Sequence, residues 1–190
     1  MVTLETSRLQ LRPFNIYDAD PLAVLADDRR VAASTGTLPF PYKREHASEW
    51  IAKHAEWWLD GTQSIWAINV KAAAEAGPGT QKPRLIGAIG LIHDRRHVNA
   101  EMGYWIGHAS WGQGFATEAA RAVVAWAFDD GGVHRLYGQH FATNPASGRV
   151  LEKCGMKKEG LLRRHFVRFE VAQDVVVYGI LKDEWEASAR

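Results

Sequence analysis

Apolar and polar residues alternate along the opening stretch LETSRLQLRPF, with Leu9 and Leu11 on one face, which predicts a strand. The period then changes. Leu22, Leu25 and Ala26 recur at helical spacing between Asp18 and Asp28. A loop containing Gly36, Pro39 and Pro41 follows. KREHASEWIAKHAEWWLDG next places Ala47, Trp50, Ile51, Ala55 and Trp58 on one helical stripe, closed by Gly61. SIWAINVK and RLIGAIGLIH are apolar enough to form adjacent strands, and the Ala-, Gly- and Pro-rich residues 72–83 between them read as a mobile hairpin loop. DRRHVN makes the next turn, and AEMGYWIG reads as another strand.

The second half keeps the same rhythm. After the junction SWGQGFATEA comes a helix in which Ala116, Ala119, Ala120, Val123, Val124 and Ala127 line one face. HRLYGQHF is a strand, and NPASGRVLEKCG is a helix with Asn144 as N-cap, Pro145 at its first position and Gly155 at its end. Strands through residues 157–169 and 174–182 finish the chain. No repeat is present. Strand, two helices, three strands, helix, strand, helix and two strands predict an α/β domain in which helices cover one mixed sheet. At 190 residues, the chain suits a single domain, 1–190.

Composition narrows the function classes. A net charge of +1 gives no reason to expect a nucleic-acid reader or a polybasic membrane binder. No apolar run approaches the roughly 18 residues of a membrane span, and MVTLETSRLQLRPF has no signal-peptide pattern. Cys154 is the one cysteine, which suits a reducing compartment; the expectation is a soluble, cytoplasmic protein.

The chemistry starts at SWGQGFATEA. A helix N-terminus presents unpaired N–H groups and the positive end of the helix dipole, and Gly112 and Gly114 allow close approach to that backbone. A phosphate or pyrophosphate is the natural guest, and a plain tight connection is the alternative. No Walker A run occurs. The dinucleotide fingerprint fails because Gly112-Gln113-Gly114-Phe115-Ala116-Thr117 ends in threonine and the following strand ends without an acid, in Gln139-His140-Phe141.

WGQGFATEA, followed some thirty residues later by NPASGRVLEKCGMKKEG, resembles the GNAT superfamily of N-acetyltransferases, and in particular its ribosomal-protein Nα-acetyltransferase branch. TSRLQLRPFNIYDAD at the start and DVVVYGILKDEW at the end fit that branch too, so the resemblance covers nearly the whole chain. It implies a mixed, mostly antiparallel sheet of about seven strands with splayed central strands and helices on both faces. It implies acetyl-coenzyme A as cosubstrate, its pyrophosphate on the amides from Gln113 to Thr117. The family pattern Q/R-x-x-G-x-G/A falls on Trp111, Gly114 and Ala116, and Trp111 departs from it. With Gly112 and Phe115 these residues complete the implied cofactor loop. The pantetheine is expected to pair with backbone at Trp105, Ile106 and Gly107 and to meet Asn144, which is equally readable as a helix cap. A homodimer is also implied.

Acetylation of an amine needs a base for the ammonium, donors for the carbonyl oxygen and an acid for the leaving thiolate. Amides around Ile106 are candidates for the second task. The resemblance puts Ser147 near the sulfur as acid, although a first-turn serine also caps helices. Tyr137 and Tyr178 are weaker donors. For the base, Glu101 lies on the strand flanking the cleft, and His165 stands where the branch carries an acid; the alternatives are an exposed strand carboxylate and a structural histidine. Cys154, before a helix-ending glycine, reads as core rather than nucleophile. His93 and His97 flank a turn without a third ligand, so no metal is expected. Trp50, Trp57 and Trp58 either wall an acceptor pocket or pack the core. The acceptor is a protein N-terminus or a small-molecule amine. A coenzyme A-binding sensor without catalysis is the alternative.

Overall fold

The computed structural model describes residues 1–72 and 83–188. The hairpin reading of residues 72–83 falls almost wholly on 73–82, which lie outside the described residues. The elements are β1 (Leu4–Glu5), β2 (Leu9–Arg12), α1 (Ala19–Ala26), α2 (Arg29–Ala33), α3 (Arg44–Ala52), α4 (His54–Asp60), β3 (Gln63–Val70), β4 (Arg84–Asp94) and β5 (Asn99–Ile106). They continue with α5 (Phe115–Asp129), β6 (Arg135–Phe141), α6 (Pro145–Lys153), β7 (Lys157–Arg168), β8 (Val171–Leu181) and α7 (Lys182–Ser188).

The strands form one eight-stranded sheet in the order β1-β2-β3-β4-β5-β6-β8-β7. Every pairing is antiparallel except β5 with β6. Alternation along β3 explains the two layers of core. Trp66 and Ile68 join Val123, Val124 and Leu151 of α5 and α6 on one face, while Ile65 and Ala67 join Leu22, Ala47 and Ile51 of α1 and α3 on the other. Complete burial of a side chain such as Leu22 or Ile68 contributes about 1.5–3 kcal/mol.

Four differences from the sequence reading have local causes. The first strand folds into a hairpin, because Thr6 bonds back to Leu9 through its amide (2.9 Å) and its hydroxyl accepts the Leu9 amide (2.9 Å). The long helix predicted before Gly61 breaks at Lys53, which turns His54 inward and leaves Ala55 exposed. Short α2 is capped by Asp28, whose carboxylate accepts the Arg30 amide at 2.8 Å. The last two strands meet in a tighter hairpin than expected, turning at Phe169 and Glu170 with φ of 47° and 64°.

The feature that builds the site is the β5–β6 junction. These parallel strands pair at only three positions, Asn99 to Glu101 against Arg135 to Tyr137. From Gly103 onward they diverge, and their backbone edges face each other across a gap.

Candidate active site

The SWGQGFATEA loop leads from the end of β5 into α5. Gly112 and Gly114 hold φ of 74° and 80°, where a side chain would be strained. A Cβ at Gly112 would meet nothing within 4 Å, so the loop is open there. The amides of Gln113 to Thr117 have no hydrogen-bond partner among the described residues; the first helical bond is Glu118 N–H to the Gly114 carbonyl at 3.1 Å. Five unpaired N–H groups at the positive end of a 15-residue helix make an anion site.

The loop is braced from behind by the turn between β1 and β2. Glu118 Oε1 accepts the Thr6 hydroxyl (2.6 Å), the Ser7 hydroxyl (3.1 Å) and the Arg8 amide (2.9 Å), while Oε2 accepts Arg8 Nε (2.7 Å). Burial raises the Glu118 pKa, but these hydrogen bonds outweigh it and hold the carboxyl at about 2. The Arg8 guanidinium also donates to the Gln113 carbonyl (3.0 Å) and stacks on Phe115 (4.6 Å).

The gap begins beside this loop. Gly107 N–H donates to the Ile86 carbonyl on β4 at 2.8 Å, and antiparallel pairing alternates, so the polar groups of Tyr104 and Ile106 point away from β4 into the gap. Trp105 therefore does not offer its backbone as expected. Its carbonyl faces β4, only 2.2 Å from where a Cβ at Gly87 would lie. Of the three residues expected to pair there, Ile106 alone presents both its amide and its carbonyl to the gap. That carbonyl accepts Trp111 Nε1 at 2.6 Å.

On the facing side, Asn144 and Ser147 open α6. Asn144 Oδ1 accepts the Ser147 amide at 3.4 Å, the capping role. Ser147 Oγ lies 2.8 Å from Tyr104 Oη, which also donates to the Ser147 carbonyl at 3.0 Å. Burial pushes the Tyr104 phenol well above its ordinary range, against the opposing pull of its bond to Ser147, so it stays a neutral donor.

Gap and sheet open into a cavity of about 620 Å³. Glu101, Tyr104 and Ser147 all line it, and Glu101 Oε1 accepts Gln139 Nε2 at 2.8 Å. Trp50 and Trp57 form part of its wall, while Trp58 packs on Trp66 (5.1 Å) in the core. The tryptophan alternatives are thus divided between both roles.

Residues 8–157 match the family described as an acetyltransferase (GNAT) domain. The chain belongs to the GNAT acetyltransferase family. It is 30% identical over 186 residues to the N-acetyltransferase p20 of Bacillus licheniformis, named as uncharacterized, covering 97% of this chain and 99% of that one. In fold it is similar to the ribosomal L7/L12 α-N-protein acetyltransferase RimL in complex with coenzyme A (TM-score 0.84, 16% identity, 96% and 99% covered). It is also similar to the microcin C7 self-immunity acetyltransferase MccE in complex with acetyl-coenzyme A and AMP (TM-score 0.80, 20% identity, 93% of each chain). The mixed, splayed sheet is the GNAT fold.

Within this acetyltransferase, His165 does not join Glu101 and Ser147. It is exposed on β7, beside a separate depression with Arg164 and Asp174, and Phe166 faces the cavity instead. Cys154 is buried at the end of α6, and that burial pushes its thiol to about 11. Tyr178 bonds Glu152 (3.0 Å) and Tyr137 lies beside Arg135; neither lines the cavity. His93 pairs with Ser64 Oγ at 3.0 Å. Among the described residues no group of three or more His, Cys, Asp or Glu is placed to hold a metal. Tyr104 and His140 were missed in the sequence. His140 lines the cavity, bonds the Phe141 carbonyl through Nδ1 at 2.7 Å, and buries Nε2 against Gly148 without a partner among the described residues. No motif marks either residue, because the divergence of β5 from β6 brings them to the site.

Proposed function

We propose that this acetyltransferase transfers the acetyl group of acetyl-coenzyme A to a primary amine by direct attack in a complex holding both substrates. The carrying observation is the Tyr104–Ser147 pair, which lines the cavity with Glu101 on the strand that ends at the glycine loop. The residues fit the cosubstrate. Five open amides and two left-handed glycines suit a pyrophosphate, and the divergent strand edges suit an extended amide-bearing arm. The coenzyme A and acetyl-coenzyme A bound by the two similar structures support the same reading.

The cosubstrate supplies an activated thioester; the remaining tasks belong to the chain. As the C–N bond forms and the C–S bond breaks, the nitrogen sheds two protons. Glu101 takes one from the incoming ammonium, directly or through water. The Ile106 amide, aimed into the gap, polarises the carbonyl oxygen. Ser147, backed by the neutral Tyr104 phenol, delivers a proton to the departing sulfur and takes up the second proton released by the nitrogen, so that amide and free thiol leave and Glu101 returns its proton to solvent. Cys154 has no part, since its buried thiol resists ionisation and a direct transfer needs no acyl-enzyme.

The acceptor is a protein N-terminus, as in the ribosomal-protein Nα-acetyltransferase branch, or a small amine, in a cytoplasmic setting. The test is thiol release from acetyl-coenzyme A with peptide and small-amine acceptors. Glu101→Gln and Ser147→Ala are each expected to lower kcat by about 10²–10⁴ with acetyl-coenzyme A affinity unchanged. Full turnover in both variants would overturn the assignment.

A further inference from the structure

Among the described residues lining the cavity, Glu101 is the one carboxylate and none is a lysine or arginine. The lining also holds four aromatic side chains, Tyr42, Trp50, Trp57 and Phe166. Behind these rings the packing is aromatic and uncharged. Trp50 meets Phe14 edge-on at 5.3 Å and His54 at 4.3 Å, and His54 lies 5.6 Å from Trp57. His54 is buried with neither ring nitrogen hydrogen-bonded among the described residues, and burial drives its pKa to about 4, so at neutral pH it brings no positive charge behind these rings. A cation is thus drawn to this cavity by one carboxylate and several aromatic rings, the remaining titratable nitrogens of the lining being the imidazoles of His46 and His140.

The wall is also fixed in place. Gly36 lies flush on the Phe166 ring, where a Cβ would come within 2.8 Å. Arg168, two residues further along β7, donates from Nε to the Ala32 carbonyl (2.9 Å) and from Nη2 to the Leu38 carbonyl (2.5 Å), tying α2 and the loop after it to the β7–β8 hairpin.

From this balance of one charge and a large apolar wall, we infer that the acceptor is a primary amine with a single positive charge on an apolar, preferentially aromatic, body. This inference rests on the acetyl-transfer reading above and names the substrate class of that same site. A polyamine would bring two or three further ammonium groups into a cavity with one carboxylate, leaving the others desolvated and unpaired. A monocation places its ammonium at Glu101, beside the thioester end of the gap, and its body against Trp57.

The experiment compares phenethylamine with spermidine by thiol release at saturating acetyl-coenzyme A, in the wild type, Trp57→Leu and Trp57→Phe. Calorimetric titration of each protein with acetyl-coenzyme A runs in parallel. The expected kcat/KM for phenethylamine exceeds that for spermidine at least about tenfold. Trp57→Leu lowers the phenethylamine value about tenfold, chiefly through KM, leaves acetyl-coenzyme A binding intact, and is rescued by Trp57→Phe. Spermidine turned over as well as phenethylamine overturns the inference. So does turnover of neither amine by protein that binds acetyl-coenzyme A, or an equal loss on both amines in Trp57→Leu. Absence of acetyl-coenzyme A binding in the wild type would instead remove the acetyl-transfer reading, and this inference with it.

Discussion

Glu118 ties the N-terminal turn to the mouth of α5, and its removal tests whether the glycine loop is braced as described. The isosteric Glu118→Gln keeps the volume and one acceptor oxygen. It sets an amide donor against the Arg8 guanidinium and removes a negative charge from the first turn of α5, where the helix dipole favours one. The folded carboxyl titrates at about 2 against an ordinary value of 4.5, a difference equivalent to about 3 kcal/mol. Arg8 is 48% exposed and solvent screens the pair, so we expect about 1–2 kcal/mol in practice. Because the folded pKa is depressed, this stability is fully present above pH 4.5 and is lost as the pH falls towards 2. Urea unfolding of both proteins at pH 7 and near pH 3 reads it directly. The variant should be less stable by about 1–2 kcal/mol at pH 7, with less than half of that difference left near pH 3. Equal stability at pH 7, or a difference that does not shrink on acidification, would mean that the Glu118 carboxylate does not brace the loop.

Three further outcomes follow from single residues. Gly114→Ala forces a Cβ into a left-handed position, 3.4 Å from Arg8 Nη2, and should cost about 1 kcal/mol of stability and weaken acetyl-coenzyme A binding several-fold, read by thermal melts and calorimetry. Tyr104→Phe removes the hydroxyl that backs Ser147 and should lower kcat about tenfold or more while leaving the KM for acetyl-coenzyme A near its wild-type value; an unchanged kcat would take Tyr104 out of the proton path. The Cys154 thiol, with its pKa near 11, should be inert to a disulfide reagent at pH 8 in the folded protein and react at once in denaturant.

The parts of the site written in short, contiguous runs were legible in the sequence. Small residues before an apolar stripe located the SWGQGFATEA turn, and Asn144-Pro145 located the start of α6. What depends on register was not legible. Nothing in AEMGYWIG says that β5 leaves its parallel partner after Glu101, so neither the Tyr104–Ser147 contact nor the direction of the Trp105 backbone could be read. A one-residue parity decides which amides face the gap, and parity is set by pairing with β4. The helical stripe predicted through Ala55 failed similarly, because a break at Lys53 rotates the following turn and buries His54. His165 was placed by analogy of position along β7, where the register shift between Leu162 and Phe166 decides which residue faces the cavity.

In the proposed reading, the open amides of the glycine loop and the gap beside them hold acetyl-coenzyme A. The most direct measurement is calorimetric titration of the wild-type chain with acetyl-coenzyme A, with NAD as the control for pyrophosphate alone. One-to-one binding of acetyl-coenzyme A in the micromolar range, with NAD silent, is the predicted result. No heat with acetyl-coenzyme A, or equal binding of NAD, would mean that the glycine loop and the gap serve another ligand.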